Sequence, residues 1–293
     1  MSCGEGRGRR GNNLESREWA RAVIGETGMK RDLRGQRILI TGASSGIGRA
    51  LTEELASLGA RLAIAARSED KLRELAKTLQ TETLVLPGDV TKDADRRRFI
   101  EEAEKRFGGL DVLINNAGIA SWAYFANSTE EILRQIMEVN FFAPAELMRL
   151  AIPVLTRGNQ PAIVNIASMC GRKAMPAWSE YSASKYALCG LTEALRAEFA
   201  RFEVDVLLIV PGLTSSDFSQ HLLRKEGKAK IEFDKVMPPA KVAAAIVNSL
   251  RKSKRETILG RDARWMLRIN KFFPRLTDWL LARKIKKLNE GVG

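Results

Sequence analysis

Three residues past the middle of the chain could move a proton to or from a substrate oxygen. In Tyr181-Ser182-Ala183-Ser184-Lys185 a phenol and an ammonium stand four residues apart, which on a helix puts them on one face in contact range. A free tyrosine has a pKa of about 10, and each unit by which a neighbouring cation lowers it represents roughly 1.4 kcal/mol of stabilised phenolate. Lowered towards neutrality by Lys185, Tyr181 would become a usable general acid or base. The pair alone is weak, since Tyr-x-x-x-Lys arises by chance on many helices. Ser168 strengthens it. It follows an apolar run, and in open α/β sheets ligands bind beyond the carboxyl ends of the strands, where a serine would face the same oxygen.

A second constellation could hold a phosphate. The run Thr41-Gly42-Ala43-Ser44-Ser45-Gly46-Ile47-Gly48 joins an apolar strand-like segment to a helical one, the context in which helix N–H groups meet an anion. Gly42 would allow a sharp turn, Gly46 a close approach to a pyrophosphate, and Gly48 tight packing of the helix. The next apolar run ends Ala65-Ala66-Arg67-Ser68. An acid at that point would bond the 2′-hydroxyl of NAD, whereas a basic residue suits the 2′-phosphate of NADP. Arg67 therefore favours NADP over NAD, against the plainer reading of a solvated arginine ahead of a helix capped by Ser68.

These residues need elements to carry them. From Arg37 onward short apolar runs alternate with helix-length amphipathic stretches, the signature of βαβ units and a parallel sheet. Strands are expected at 37–41, 61–66, 83–87, 110–115, 162–167, 204–210 and 257–259. Helices are expected at 47–58, 69–79, 94–107, 130–155, 178–202 and 240–250. The long polar break at 213–237 has the character of a lid.

Composition narrows the chemistry. With 45% hydrophobic and 28% charged residues in 293, the chain can bury a full core and is neither collagen-like nor wholly disordered. One histidine, His221, and three scattered cysteines leave no metal cage and no disulfide framework, so no metal is expected and a cytoplasmic, reducing setting is the simplest. The net charge of +13 is uneven: residues 31–250 hold 29 basic side chains against 27 acidic, and residues 251–293 hold 13 against four. Without an aromatic-rich basic recognition motif, a nucleic-acid partner is not expected.

With these motifs in order, the chain resembles the compact, single-domain short-chain dehydrogenase/reductases over about residues 33–260. The motifs stand as Thr41 to Gly48, Asp89-Val90, Asn115-Asn116-Ala117-Gly118, Asn140, Ser168, Tyr181 to Lys185 and Pro211-Gly212. The resemblance implies a Rossmann-type doubly wound sheet of about seven parallel strands with helices on both faces. It implies that Ser44, Ser45 and Ile47 line the cofactor with the glycines, that Asp89 bonds the adenine amino group and that Val90 lines its pocket. Asn116, Ala117 and Gly118 would flank the cofactor, Pro211 and Gly212 would lie beside the nicotinamide, and Asn140 would hold a water linked to Lys185. Where many members place a threonine after that glycine, this chain reads Leu213-Thr214-Ser215-Ser216, and Ser216 is expected to supply the hydroxyl. The implied activity is NADP-dependent interconversion of a carbonyl and a secondary alcohol, with Ser168, Tyr181, Lys185 and Asn140 as the catalytic set. Apolar segments at 119–125 and 169–178 suggest a lipophilic substrate. The family commonly forms dimers or tetramers, so a homo-oligomer is expected. A cofactor-binding, membrane-tethered scaffold without turnover is the alternative, which the intact Ser–Tyr–Lys–Asn set disfavours.

The two ends fall outside the resemblance. Residues 1–30 are Gly- and Arg-rich and read as a disordered extension, with Met29 a candidate start. Residues 261–293 read as a basic amphipathic helical tail. Trp265, Met266, Ile269, Phe272, Phe273, Leu276, Trp279 and Leu280 fall on one stripe and Arg264, Arg268, Lys271 and Arg275 on another, with Pro274 as a kink. That stripe either lies in a membrane interface through 261–288, at the cytoplasmic face, or docks on protein.

Overall fold

The computed structural model describes residues 31–215, 222–225 and 236–290. The N-terminal extension with Met29, Ser216, His221 and most of the 213–237 break lie outside the described residues. Seven parallel strands form one sheet: β1 (Arg37–Thr41), β2 (Arg61–Ala66), β3 (Thr83–Pro87), β4 (Val112–Asn115), β5 (Ala162–Ile166), β6 (Asp205–Pro211) and β7 (Glu256–Leu259). Their order is β3-β2-β1-β4-β5-β6-β7. The order reverses between β1 and β4, which pair in register Ile38 to Val112, Leu39 to Leu113 and Ile40 to Ile114. A crevice must open beyond the carboxyl ends at such a switch point.

Alternation along each strand builds two cores. Ile38 and Ile40 of β1 face one side, with Leu51 and Leu55 of α1 (Gly46–Ser57), Leu72 and Leu75 of α2 (Glu69–Thr78), and Val242 and Ile246 of α7 (Pro239–Arg251). Leu39 faces the other side, with Phe99 and Ala103 of α3 (Asp93–Phe107) and Leu147 and Ala151 of α5 (Ala143–Leu155). Leu191, Leu195 and Phe199 of α6 (Ser179–Ala200) pack against that second cluster. Each such leucine, isoleucine or phenylalanine contributes about 1.5–3 kcal/mol on burial, so the register that keeps both faces covered is strongly favoured. Arg37 fastens β1 to the lead-in of β4: its Nε and backbone N–H donate to Asp111 Oδ2, each at 2.9 Å. Burial alone would raise the Asp111 carboxyl, yet bonds from Arg37 and from the Asn159 N–H hold it below its ordinary value.

The expected helix over 130–155 is not continuous. It divides into α4 (Glu130–Met137), a π-helical turn (Glu138–Phe142) and α5. The apolar spacing runs through the turn undisturbed, which is why the sequence pattern showed one element. Its cause is Asn140, fully buried, whose side chain bonds out of the helix as described below. Such single turns occur often at functional sites. After β7, α8 (Arg261–Phe272) and α9 (Pro274–Glu290) form a helical pair broken at Pro274.

Candidate active site

A cleft of about 750 Å³ lies at the switch point. Its floor begins with the glycine turn. Gly42 has φ +65° and Gly46 φ +52°, a region that favours glycine. A Cβ on Gly42 would sit 2.8 Å from the Cα of Ala117, and one on Gly48 would collide with the Gly42 carbonyl and the Asn116 amide. Gly48 thus lets α1 close on the turn itself rather than on the sheet. Ser45 occupies the N-cap of α1 without a side-chain bond to it, and the first turn carries no acid. The helix N–H groups are left for an anion.

Thr41 and Asn116 lace this turn to β4. The Thr41 Oγ1 accepts from the N–H groups of Asn116 and Ala117, both at 3.1 Å. The Asn116 Nδ2 donates to the carbonyls of Thr41 at 3.0 Å and Gly42 at 3.1 Å. At the far end Arg67, Ser68 and Lys71 line the cleft. Ser68 stands at the N-cap of α2 but makes no capping bond. Asp89 and Val90 line it too, and the Asp89 Oδ1 accepts from the N–H and the hydroxyl of Thr91, both at 2.9 Å. Lys71 escaped the sequence reading, although it follows Arg67 by four residues.

Ser168, Tyr181 and Lys185 meet at the other end, with Pro211 and Gly212 opposite. Ser168 lies two residues beyond β5, at the head of a short helical turn, and accepts from the Cys170 N–H at 3.1 Å. Tyr181 is buried, edge-on to Trp178 with centroids 5.8 Å apart. Burial first, then the neighbouring Cys170, pushes its phenol well above its ordinary value, and a hydrogen bond with Ser168 pulls the other way. The Lys185 Nζ lies 5.8 Å from the Tyr181 ring centre and donates to the Ile166 carbonyl at 2.9 Å. Burial lowers its pKa to about 8. The expected depression of the phenol by Lys185 is therefore absent here: desolvation dominates, and the ammonium is directed at a backbone carbonyl.

Asn140 works as a clamp. Its Oδ1 accepts from the Ile119 N–H, and its Nδ2 donates to the Ile119 carbonyl and the Ser184 hydroxyl, each at 2.9 Å. It joins the loop after β4 to the helix carrying Tyr181 and Lys185, so a water linked to Lys185 would have to use its remaining lone pair or its main-chain carbonyl. A Cβ on Gly118 would lie 3.3 Å from the Asn140 Oδ1 and 3.6 Å from the Lys185 Nζ. Ser184 was missed as a partner although it lies inside the Tyr-x-x-x-Lys segment. Ile119, Val139, Trp178, Leu213 and Leu223 add apolar lining. Of the other candidate lining residues, Cys170 is half-buried beside Ser168 and desolvation raises its thiol, while Met169, Met175 and Tyr124 do not line the cleft.

The residues present fit a nicotinamide dinucleotide: an open helix N-terminus behind a glycine turn whose Gly42 and Gly46 line the cleft, cations at one end and a hydroxyl pair at the other. A sequence profile of the short chain dehydrogenase family matches residues 36–227. The chain is 32% identical over 278 residues to an uncharacterized oxidoreductase, YxnA, of Bacillus subtilis, covering 92% of this chain and 78% of that protein. It is 34% identical over 256 residues to the 11-beta-hydroxysteroid dehydrogenase-like 2 protein of Arabidopsis thaliana, covering 85% and 82%. The fold matches a short chain dehydrogenase/reductase from Burkholderia phymatum crystallised with NAD, at a TM-score of 0.77 and 24% identity over 84% of this chain and 96% of that one.

Proposed function

The chain belongs to the short-chain dehydrogenase family of oxidoreductases, whose fold binds a nicotinamide cofactor, and from that premise we propose that it interconverts a carbonyl and a secondary alcohol with NADP(H) on a lipophilic substrate. The observation that carries the reading is the hydrogen-bonded pair of Ser168 and Tyr181 above the buried Lys185, at one end of a cleft whose other end presents Arg67 and Lys71. A bound nicotinamide supplies or accepts the hydride at the substrate carbon. Ser168 and Tyr181 offer two hydroxyls to one substrate oxygen. Because its pKa is raised, Tyr181 stays protonated at neutral pH and acts as the general acid in reduction. Lys185, cationic below about pH 8, favours the phenolate left behind. Asn140 and Ser184 hold the loop after β4 against this helix.

The preference for NADP rests on Arg67 and Lys71, because a guanidinium meets a 2′-phosphate with paired donors. The lipophilic substrate rests on Ile119, Val139, Trp178, Leu213 and Leu223, and the steroid dehydrogenase-like relative is consistent with it. Nicotinamide fluorescence titration tests both claims. NADPH is expected to bind more tightly than NADH, Arg67→Asp to weaken NADPH by about 10- to 100-fold through loss of a charge-assisted contact, and Tyr181→Phe to leave binding unchanged. Tighter binding of NADH would reverse the cofactor assignment. Absence of binding by either nucleotide would remove the enzyme reading.

A further inference from the structure

The helical pair after β7 displays a large apolar face that nothing described covers. Trp265, Phe272, Phe273 and Trp279, with Ile269, Leu276 and Leu280 between them, are between 40% and 71% exposed. Contiguous apolar surface of this kind marks an interaction site. Met266, expected in the same stripe, is half-buried instead. The pair is nonetheless a fixed feature of the fold. Ala263 and Thr277 are buried, the Thr277 hydroxyl donates to the Asn270 Oδ1 at 2.7 Å between the two helices, and Lys173 pairs with Asp278.

Charge identifies the occupant. Residues 251–293 hold 13 basic side chains against four acidic ones. Arg268 lies over Trp265, Lys271 over Phe272 and Arg283 over Trp279, with cation-to-ring-centre distances of 5.8, 5.9 and 5.3 Å. An aromatic ring with a long basic chain along it matches an interface whose depth is apolar and whose rim is anionic. A second copy of this chain would bring one strongly basic face against another. No segment of the chain outside the described residues offers a matching charge either: residues 1–30 hold six basic against four acidic, and residues 216–221 and 226–235 together hold three against four, one net negative charge against the nine positive of the tail. Among the described residues no helix is long and apolar enough to cross a membrane, so the pair would lie on a bilayer rather than through it. We propose that α8 and α9 are a docking surface for an anionic lipid bilayer.

The location of the pair gives the docking a consequence. Gly260 turns β7 into α8, and Ala263 packs against Gly212, a residue of the cleft. Lys173, bonded to Asp278, lies in the segment between Ser168 and Trp178. A bilayer under the pair therefore lies close to the mouth of the cleft.

The test is flotation of the full chain with phosphatidylcholine vesicles, with and without phosphatidylserine, at low and high salt, together with quenching of tryptophan by brominated lipid. Binding is expected only with phosphatidylserine, weakening with salt and accompanied by quenching. Trp265→Glu/Trp279→Glu should lose at least tenfold in affinity, and Arg268→Gln/Lys271→Gln about fivefold for each charge removed. All four positions are solvent-exposed, and an unchanged circular dichroism spectrum and melting temperature verify that each variant is folded. Failure of the wild-type chain to float with phosphatidylserine, equal flotation with phosphatidylcholine alone, or unaltered binding by the tryptophan variant would overturn the proposal. So would sedimentation showing that the apolar face is consumed by self-association that Trp279→Glu abolishes. None of these readouts depends on turnover, so the proposal and the catalytic reading stand or fall separately.

Discussion

With its phenol buried against Trp178 and bonded to Ser168, Tyr181 keeps its proton well above the range in which a free tyrosine gives it up. The four-residue spacing correctly brought Tyr181 and Lys185 onto one helical face, but spacing carries no information about depth, and depth decides the titration. For carbonyl reduction this state is useful, because the group that must donate is protonated. Tyr181→Phe should lower kcat for reduction by about 10²- to 10⁴-fold while leaving the NADPH titration intact, a split that steady-state kinetics and fluorescence together would show. Lys185 makes a second prediction. Its pKa is about 8 in the folded chain against an ordinary 10.5. Between those values the unfolded chain binds one more proton than the folded one, so stability rises with pH through that window, by about 3 kcal/mol from this group alone. Tyr181, shifted upward, removes stability only once the pH passes its ordinary value of 10. Urea unfolding at pH 7, 8 and 9, below the range in which the raised thiols of Cys170 and Cys189 remove stability, should show the rise in the wild type and a flatter profile in Lys185→Met; parallel profiles would mean that Lys185 is not buried as a cation.

Elements were legible wherever one physical signal set both their type and their ends. Strands β1, β2 and β3 begin and end as the sequence indicates, because each is an apolar run closed by polar or glycine residues, and β4 to β7 differ by one or two residues. The helix over 130–155 was misjudged at one place, Glu138–Phe142, because a π turn costs little in apolar spacing and is held by bonds from Asn140 to Ile119 and Ser184, residues 21 and 44 positions away. Contacts over such distances leave no local trace. The glycine turn shows the same limit more mildly: the sequence located Gly48, while only the structure shows that its neighbours are the Gly42 carbonyl and Asn116. Those neighbours are backbone and a doubly bonded amide, so a methyl group has no soft contact to displace. Gly48→Ala should distort the turn at a cost of about 1–3 kcal/mol and weaken NADPH about 10- to 100-fold, with the circular dichroism spectrum preserved. Unchanged NADPH affinity in a folded variant would show that the turn does not cradle the cofactor.

At the scale of the whole molecule, composition divides the chain at residue 260, where a nearly neutral body meets a basic tail, whereas packing draws a softer line. Ala263, the third residue of α8, is buried and lies against Gly212 at the end of β6. Neither charge nor amphipathic spacing could reveal this, because alanine contributes nothing to either; what matters is that it is small enough to sit over a glycine. The beginning of α8 therefore packs behind Gly212 through Ala263, while Trp265, Ile269 and the residues that follow project as exposed apolar surface. Two truncations separate the parts. A chain ending at Phe273 keeps Ala263 and the Gly260 turn, and its NADPH affinity should stay within about twofold of the full chain, as for changes remote from buried contacts. A chain ending at Gly260 loses the same Lys173–Asp278 pair as the longer truncation and in addition uncovers Gly212, and should melt at a lower temperature and bind NADPH more weakly. If both truncations bound NADPH as the full chain does, α8 would be an appendage throughout, and its contact with Gly212 would have no part in shaping the cleft.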